Sequence, residues 1–186
     1  MTKIAITGNI AAGKSVVENI LRDKGYIVYD ADKIAHEILA NSQEVRQTFS
    51  EFDILENGEI SREKLGKLVF NNNELRKNLE NIIHPQVKNF IKELNDDLVF
   101  VAVPLLFEAN MQDLFDKIIF VSAPQEIRLK RLMARNNLTE QEAMARINAQ
   151  ESEEEKIKKS DFIIYNNSDF LNLNKQIDKI ILSLTN

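Results

Sequence analysis

Residues 8–15 read "GNIAAGKS": Gly8, four intervening residues, then Gly13, Lys14 and Ser15. The stretch follows the apolar run "KIAIT" and precedes "SVVENILRDK", where Val16, Val17, Ile20 and Leu21 recur at helical spacing until Gly25 stops them. Small residues around one lysine and one serine make a poor core segment. Set between a strand and a helix, they fit the phosphate-binding loop G-x-x-x-x-G-K-S. The spacing has a physical reason. Backbone N–H groups must wrap a polyphosphate, so the side chains have to be small or point away. The following helix adds the positive end of its dipole. Lys14 then bridges the β- and γ-phosphates of ATP, and Ser15 places its hydroxyl on Mg²⁺. The pattern implies a nucleoside triphosphate site without fixing a reaction.

The rest of the chain supplies a setting for that loop. Apolar, β-branched runs at 3–7, 26–30, 98–103, 117–123 and 162–165 are nearly continuous rather than alternating, as in strands covered on both faces. Helical patterns lie between them, so the expected fold class is α/β, with a parallel sheet flanked by helices. The interval 41–97 differs. It carries an "ENGE" turn at 56–59 and then three helical runs, "SREKLGKLVF", "NELRKNLENII" and "PQVKNFIKEL", the last opened by Pro85. It reads as a helical insertion covering substrate, within a single domain whose core is 1–40 and 98–186. Thr139 with Glu142, and Ser152 with Glu155, have capping-box spacing. Pro124 opens a helix carrying Arg128, Arg131 and Arg135.

Composition narrows the function classes. A net charge of −5 and no basic arm argue against a nucleic-acid protein. With no cysteine there is no disulfide or thiol chemistry. No run approaches the ~20 apolar residues of a membrane span, and the expected setting is soluble and cytoplasmic. A regulatory GTPase needs D-x-x-G, which is absent, and "NKQID" at 174–178 has its aspartate one position late for a base reader.

Several side chains are candidates for chemistry beyond the loop. Asp30 and Asp32 end the second strand in "YDAD". In extended backbone both carboxylates point the same way, toward the edge where doubly wound sheets place ligands. Asp32 is the candidate base for an attacking hydroxyl. Asp30 is a helix cap or a metal-shell carboxylate. Glu108 closes "PLLFE", placed to hold water on Mg²⁺ or merely solvated, with Leu105, Leu106 and Phe107 as walls of an acceptor pocket. Arg128, Arg131 and Arg135 share a helix face by spacing, and with Arg146 they suggest a phosphate-closing lid over about 125–155. "ESEEEK" at 151–156 reads as a solvated helix start. His36 reads as structural, and His84 as a cap, a polar-network member or a substrate contact. Neither histidine has a partner at metal-ligand spacing.

Taken in order, "TGNIAAGKS", "VYDADKIAHE", "IIHPQV", "VPLLFEA", "RLMARNNLTEQEAMARINAQ" and "SDFIIYNNSD" resemble the dephospho-CoA kinase family across essentially the whole chain. The resemblance implies transfer of the ATP γ-phosphate to the ribose 3′-hydroxyl of dephospho-CoA. It implies a P-loop kinase fold with a five-stranded parallel core, a helical CoA-binding part and a lid, working as a monomer or weak homo-oligomer. On it, Ala11, Ala12, Gly13, Lys14, Ser15 and Val16 match the ATP-binding loop, and Asp32 the base. Arg131, Arg135 and Asn166 fall on the ATP side; His84, Leu106, Phe107, Glu108 and Arg146 fall on the acceptor side. The sequence departs from the family's usual "GGIGSGKST" at Asn9, Ala11, Ala12 and Val16. Asn9 is a side chain that tolerates unusual backbone angles. Arg128 stands where the family commonly has Gln, and Ser168 where it has Gly.

Overall fold

The computed structural model describes residues 1–167 and 169–185. In chain order the elements are β1 (Thr2–Gly8), α1 (Lys14–Asp23), β2 (Ile27–Asp30), α2 (Ala31–Asn41), α3 (Gln43–Thr48), β3 (Leu55–Glu56), β4 (Glu59–Ile60), α4 (Arg62–Phe70) and α5 (Asn73–Glu93). After these come β5 (Leu98–Ala102), a 3₁₀ turn at Gln112–Leu114, β6 (Lys117–Ser122), α6 (Gln125–Asn136), α7 (Glu140–Asn148), α8 (Glu153–Lys158), β7 (Phe162–Tyr165) and α9 (Phe170–Thr185). The chain divides into two compact units, Met1–Asp30 with Asn95–Asn186, and Ala31–Leu94. The second unit takes in α2, so it starts at Ala31 where the sequence pattern suggests about 41.

The first unit holds a five-stranded parallel sheet in the order β2-β5-β1-β6-β7. All five apolar runs became its strands. β1 sits in the middle, its residues Ile4, Ala5 and Ile6 fully buried, as expected of a central parallel strand covered on both faces. On one face Val17 and Leu21 of α1 and Leu173 and Ile177 of α9 close over Phe100, Ile119 and Ile164. Parallel strands end at the same edge, and the register aligns Asp30 with Ala102 and Ala102 with Ile6, just before the phosphate loop. Carboxylates pin the other edge: Asp116 accepts from the N–H of Lys3 at 2.7 Å, and Asp161 from that of Ile118 at 2.9 Å. Ser168, whose departure from the family pattern was noted above, lies outside the described residues.

The second unit is mostly helical, with α2, α3 and α4 packed on α5. The "ENGE" turn is a two-residue hairpin joining β3 and β4, with Asn57 and Gly58 at φ 51° and 84°. One expectation fails here. Pro85 does not open a helix; α5 runs unbroken through it. Proline removes one backbone hydrogen bond, but Ile82 and Ile83 before it and Val87 and Ile91 after it form one buried stripe that holds both halves in line.

Candidate active site

The loop that opened the sequence has the shape its residues suggested. β1 ends at Gly8, where an added Cβ would run into the carbonyl of Val121 on β6. The chain then turns, with Ala11 at φ 59° and Gly13 at φ 96°, before α1 starts at Lys14. Left-handed residues alternating with ordinary ones point successive N–H groups into one concavity. No side chain caps α1 at Gly13, so the open helix end faces the same hollow. Asn9 does not carry the unusual angle; Ala11 does. Asn9 is instead buried and tied by its side chain to α8.

The hollow has a tight back wall. Asn166 is 6 % exposed and donates from Nδ2 to the carbonyl of Ala12 at 2.8 Å. Arg131 donates to the same carbonyl at 3.2 Å and to the Asn166 carbonyl at 3.3 Å. A Cβ on Gly13 would collide with the Asn166 amide and press on Arg131. Only glycine fits between these groups and the cradle, and the residues present fit a bound polyphosphate.

The ammonium of Lys14 is 2.9 Å from Oε1 of Glu18, one helical turn on. Ser15 is exposed in the first turn of α1, placed to offer a metal its hydroxyl. Among the described residues no three His, Cys, Asp or Glu side chains cluster as metal ligands. Ser15 is the loop side chain that would offer a Mg²⁺ its hydroxyl.

The three helix arginines do not form one solvent-facing surface. Arg128 is 6 % exposed; its Nε donates to the carbonyl of Ala123 at 3.1 Å and its Nη2 pairs with Glu153 at 3.3 Å. Its Nη1 is buried with no hydrogen-bond partner among the described residues. Arg131 belongs to the loop's back wall, and Arg135, in the exposed last turn, bonds Asn136 at 2.9 Å. Spacing alone does not see that α6 has one end against the sheet and the other in solvent. Arg146 is exposed near the end of α7. The α6–α7 pair has its own small core of Leu132, Ala143 and Ile147, and Ile10 and Ala11 of the loop pack against it.

"ESEEEK" does start a helix, with Glu151, Ser152, Glu154 and Glu155 exposed, but two of its residues are not solvated. Glu153 accepts from Ser122 Oγ at 2.5 Å and from Asn9 Nδ2 at 3.3 Å, besides pairing with Arg128. Lys156 is 3 % exposed and donates to Glu108 at 2.6 Å and Asn9 Oδ1 at 3.4 Å. Gln150 accepts from the Ile10 N–H at 2.7 Å. The end of the α7–α8 segment is thus fastened to the phosphate loop. Sequence reading missed Glu153, Lys156, Gln150 and Glu18. Nearby, Asn9, Ser122, Gln125, Arg128, Tyr165 and Asn167 line an open cavity of about 640 Å³. The Thr139–Glu142 capping box forms, and Thr139's hydroxyl and N–H hold Glu142 below the usual carboxylate range. The Ser152 box does not form, because Glu155 turns to Lys158 at 2.8 Å.

The remaining candidates are dispersed. Leu106 and Phe107 are core residues, 0 % and 5 % exposed, whereas Leu105 before them is open. Glu108 is bound to Lys156. Asp30 is the last residue of β2 and Asp32 is exposed in the first turn of α2. The helix starts at Ala31, so the two carboxylates are not related by strand alternation. In the second unit His84 is half-buried in mid-α5, and Nε2 of His36 meets Nη2 of Arg62 at 2.7 Å.

Comparison with known proteins gives one answer. The profile of the dephospho-CoA kinase family matches residues 2–172. The dephospho-CoA kinase of Carboxydothermus hydrogenoformans is 44% identical, the match covering 96% of this chain and 92% of that protein. That of Listeria monocytogenes serovar 1/2a is 40% identical over 94% and 92%. The solved structure of dephospho-CoA kinase from Campylobacter jejuni is 36% identical, with a TM-score of 0.75 over 98% of this chain and 96% of that one.

Proposed function

The chain belongs to the dephospho-CoA kinase family, and from that premise we propose how its residues share the transfer of the ATP γ-phosphate to the ribose 3′-hydroxyl of dephospho-CoA. This is the last step of coenzyme A synthesis. The observation that carries the reading is the glycine-only cradle between Ala11 and Lys14, backed by Asn166 and Arg131. Amides of Ala11 to Val16 hold the donor phosphates, and the α1 terminus adds its partial charge. Lys14 moves onto the phosphates when ATP is bound. Ser15 holds Mg²⁺, which when bound offsets phosphate charge. Arg131 fixes the loop from behind while Arg135 and Arg146, on the lid of 125–155, are the cations free to close over the transferring group. Asn166 serves the donor side through its bond to the loop.

Asp32 accepts the proton of the attacking hydroxyl. Its support is its place in the chain, two residues after Asp30 ends β2, and its exposure. The unit 31–94 binds the CoA portion of the acceptor, with His84 as a polar contact. Leu106, Phe107 and Glu108 act from behind the acceptor side as core and ion-pair supports. The acidic chain has no nucleic-acid partner. No helix among the described residues is long and apolar enough to cross a membrane. The reaction is assigned to the cytoplasm and to a monomer or weak homo-oligomer.

ADP release coupled to dephospho-CoA, adenosine, AMP and pantetheine tests the acceptor; only the first should turn over well. Asp32→Asn should lower kcat about 10²–10⁴-fold with ATP affinity nearly unchanged, and Asp30→Asn should keep most activity. The reverse ranking would move the base to Asp30.

A further inference from the structure

Lys14, Glu18 and Arg22 follow i, i+4, i+8 along α1 and touch in sequence. Glu18 Oε1 takes Lys14 Nζ at 2.9 Å and Oε2 takes Arg22 Nη2 at 3.3 Å. Glu18 is only 5 % exposed, which sets it apart from ordinary helix-surface pairs. A carboxylate out of water needs its cations, since an unpaired buried charge is costly. Glu18 lies about 6 Å farther along the helix axis than Lys14, away from the N–H groups of the loop. The contact therefore draws the ammonium out of the cradle that the donor phosphates would fill.

From this geometry we infer that Glu18 is a positioning residue that competes with the donor's phosphates for Lys14, and that Arg22 sets the strength of the competition. The inference rests on Lys14 being a phosphate ligand. Binding a triphosphate exchanges one partner of the ammonium for another. Glu18 keeps Arg22 when Lys14 leaves, and Arg22 is itself anchored to Asn19 Oδ1 at 3.2 Å and to the carbonyl of Val28 at 3.3 Å. That residual pairing is what allows the exchange. The device acts on the phosphates and not on the nucleoside.

Two substitutions should then move affinity in opposite directions. Glu18→Gln keeps the shape and removes the competing charge, so ATP and ADP should bind about fivefold tighter, the upper end of what an ion pair with a solvent-accessible member contributes. Arg22→Met leaves Glu18 dependent on Lys14, so both nucleotides should bind about fivefold weaker. Affinities are read by calorimetric titration without acceptor, where no turnover occurs. Acylation of Lys14 by an amine reagent in the nucleotide-free protein, located by mass spectrometry, should speed up in Glu18→Gln and slow in Arg22→Met. Shifts of the same sign in both variants, or none in either, overturn the inference. If Glu18→Gln does not fold, unchanged ATP affinity in folded Arg22→Met overturns it alone. Lys14→Ala separates the two levels. If that variant binds ATP like the wild type, the phosphate role of Lys14 fails. If it loses ATP while the other two stay unmoved, only the competition fails.

Discussion

Gly13→Ala is the substitution whose cost can be worked most directly. At φ 96° the residue sits where an alanine pays about 1–2 kcal/mol in backbone strain. The new methyl would also occupy the position of the Asn166 amide and come within 3.4 Å of an Arg131 nitrogen. Asn166 cannot simply rotate away, because its own N–H donates to Ser122 O and its side chain to Ala12 O, both at 2.8 Å. Breaking that side-chain bond adds about 1 kcal/mol, for a total of about 2–3 kcal/mol. The chain has no tryptophan, so urea unfolding is best followed by far-ultraviolet circular dichroism. A double-mutant cycle isolates the clash. Asn166→Ala alone should cost about 1 kcal/mol, and combining it with Gly13→Ala should cost about that much less than the sum, because the side-chain bond is lost only once. Gly13→Ala within about 0.5 kcal/mol of wild type, or strict additivity in the cycle, would refute the reasoning.

Two further changes probe the scaffold. Burial raises the carboxyl of Asp161, but Lys117 and the Ile118 N–H more than offset it, so its pKa lies below the ordinary carboxylate value. Its contribution is present above that ordinary value and lost as pH falls through the lower, folded one. Asp161→Asn should therefore lower the unfolding temperature near about pH 7 and make little difference near about pH 2; a gap that widens in acid would contradict the pairing. Pro85→Ala should stabilise α5 by about 2 kcal/mol, a helix-interior proline's penalty less its entropic benefit in the unfolded chain. Thermal unfolding checks it, and a destabilised variant would show the ring itself is needed.

Legibility in the sequence followed the range of the interactions. The phosphate loop, the five strands and the Thr139 capping box are short-range patterns, and each was readable from its own few residues. Pro85 was misread because a proline's local effect is to start a helix, whereas the buried stripe from Ile82 to Ile91 is a tertiary effect. Glu153 and Lys156 looked like surface charge because their partners are elsewhere in the chain: Ser122 is 31 residues from Glu153, and Asn9 is 147 from Lys156. Glu18 did carry a local signal, the four-residue step from Lys14, but the step reads as an ordinary helix pair until burial is known.

The sheet order has a consequence for how the protein is made. β1 and its loop are made before β5 and β6, the strands that β1 pairs with, and the amide that closes the loop, Asn166, comes 154 residues after Ala12. At bacterial or eukaryotic rates of about 5–20 residues per second, that wait is about 8–30 s. The unit Ala31–Leu94, an unbroken run, is complete well before. A growing chain therefore finishes its inserted portion while the nucleotide-holding portion still lacks most of its partners. ATP can stabilise the protein only once translation has passed β7. Premature termination between β5 and β7 yields a folded insert on a core that has no finished place for nucleotide, exposing the strand edges that quality-control proteases engage.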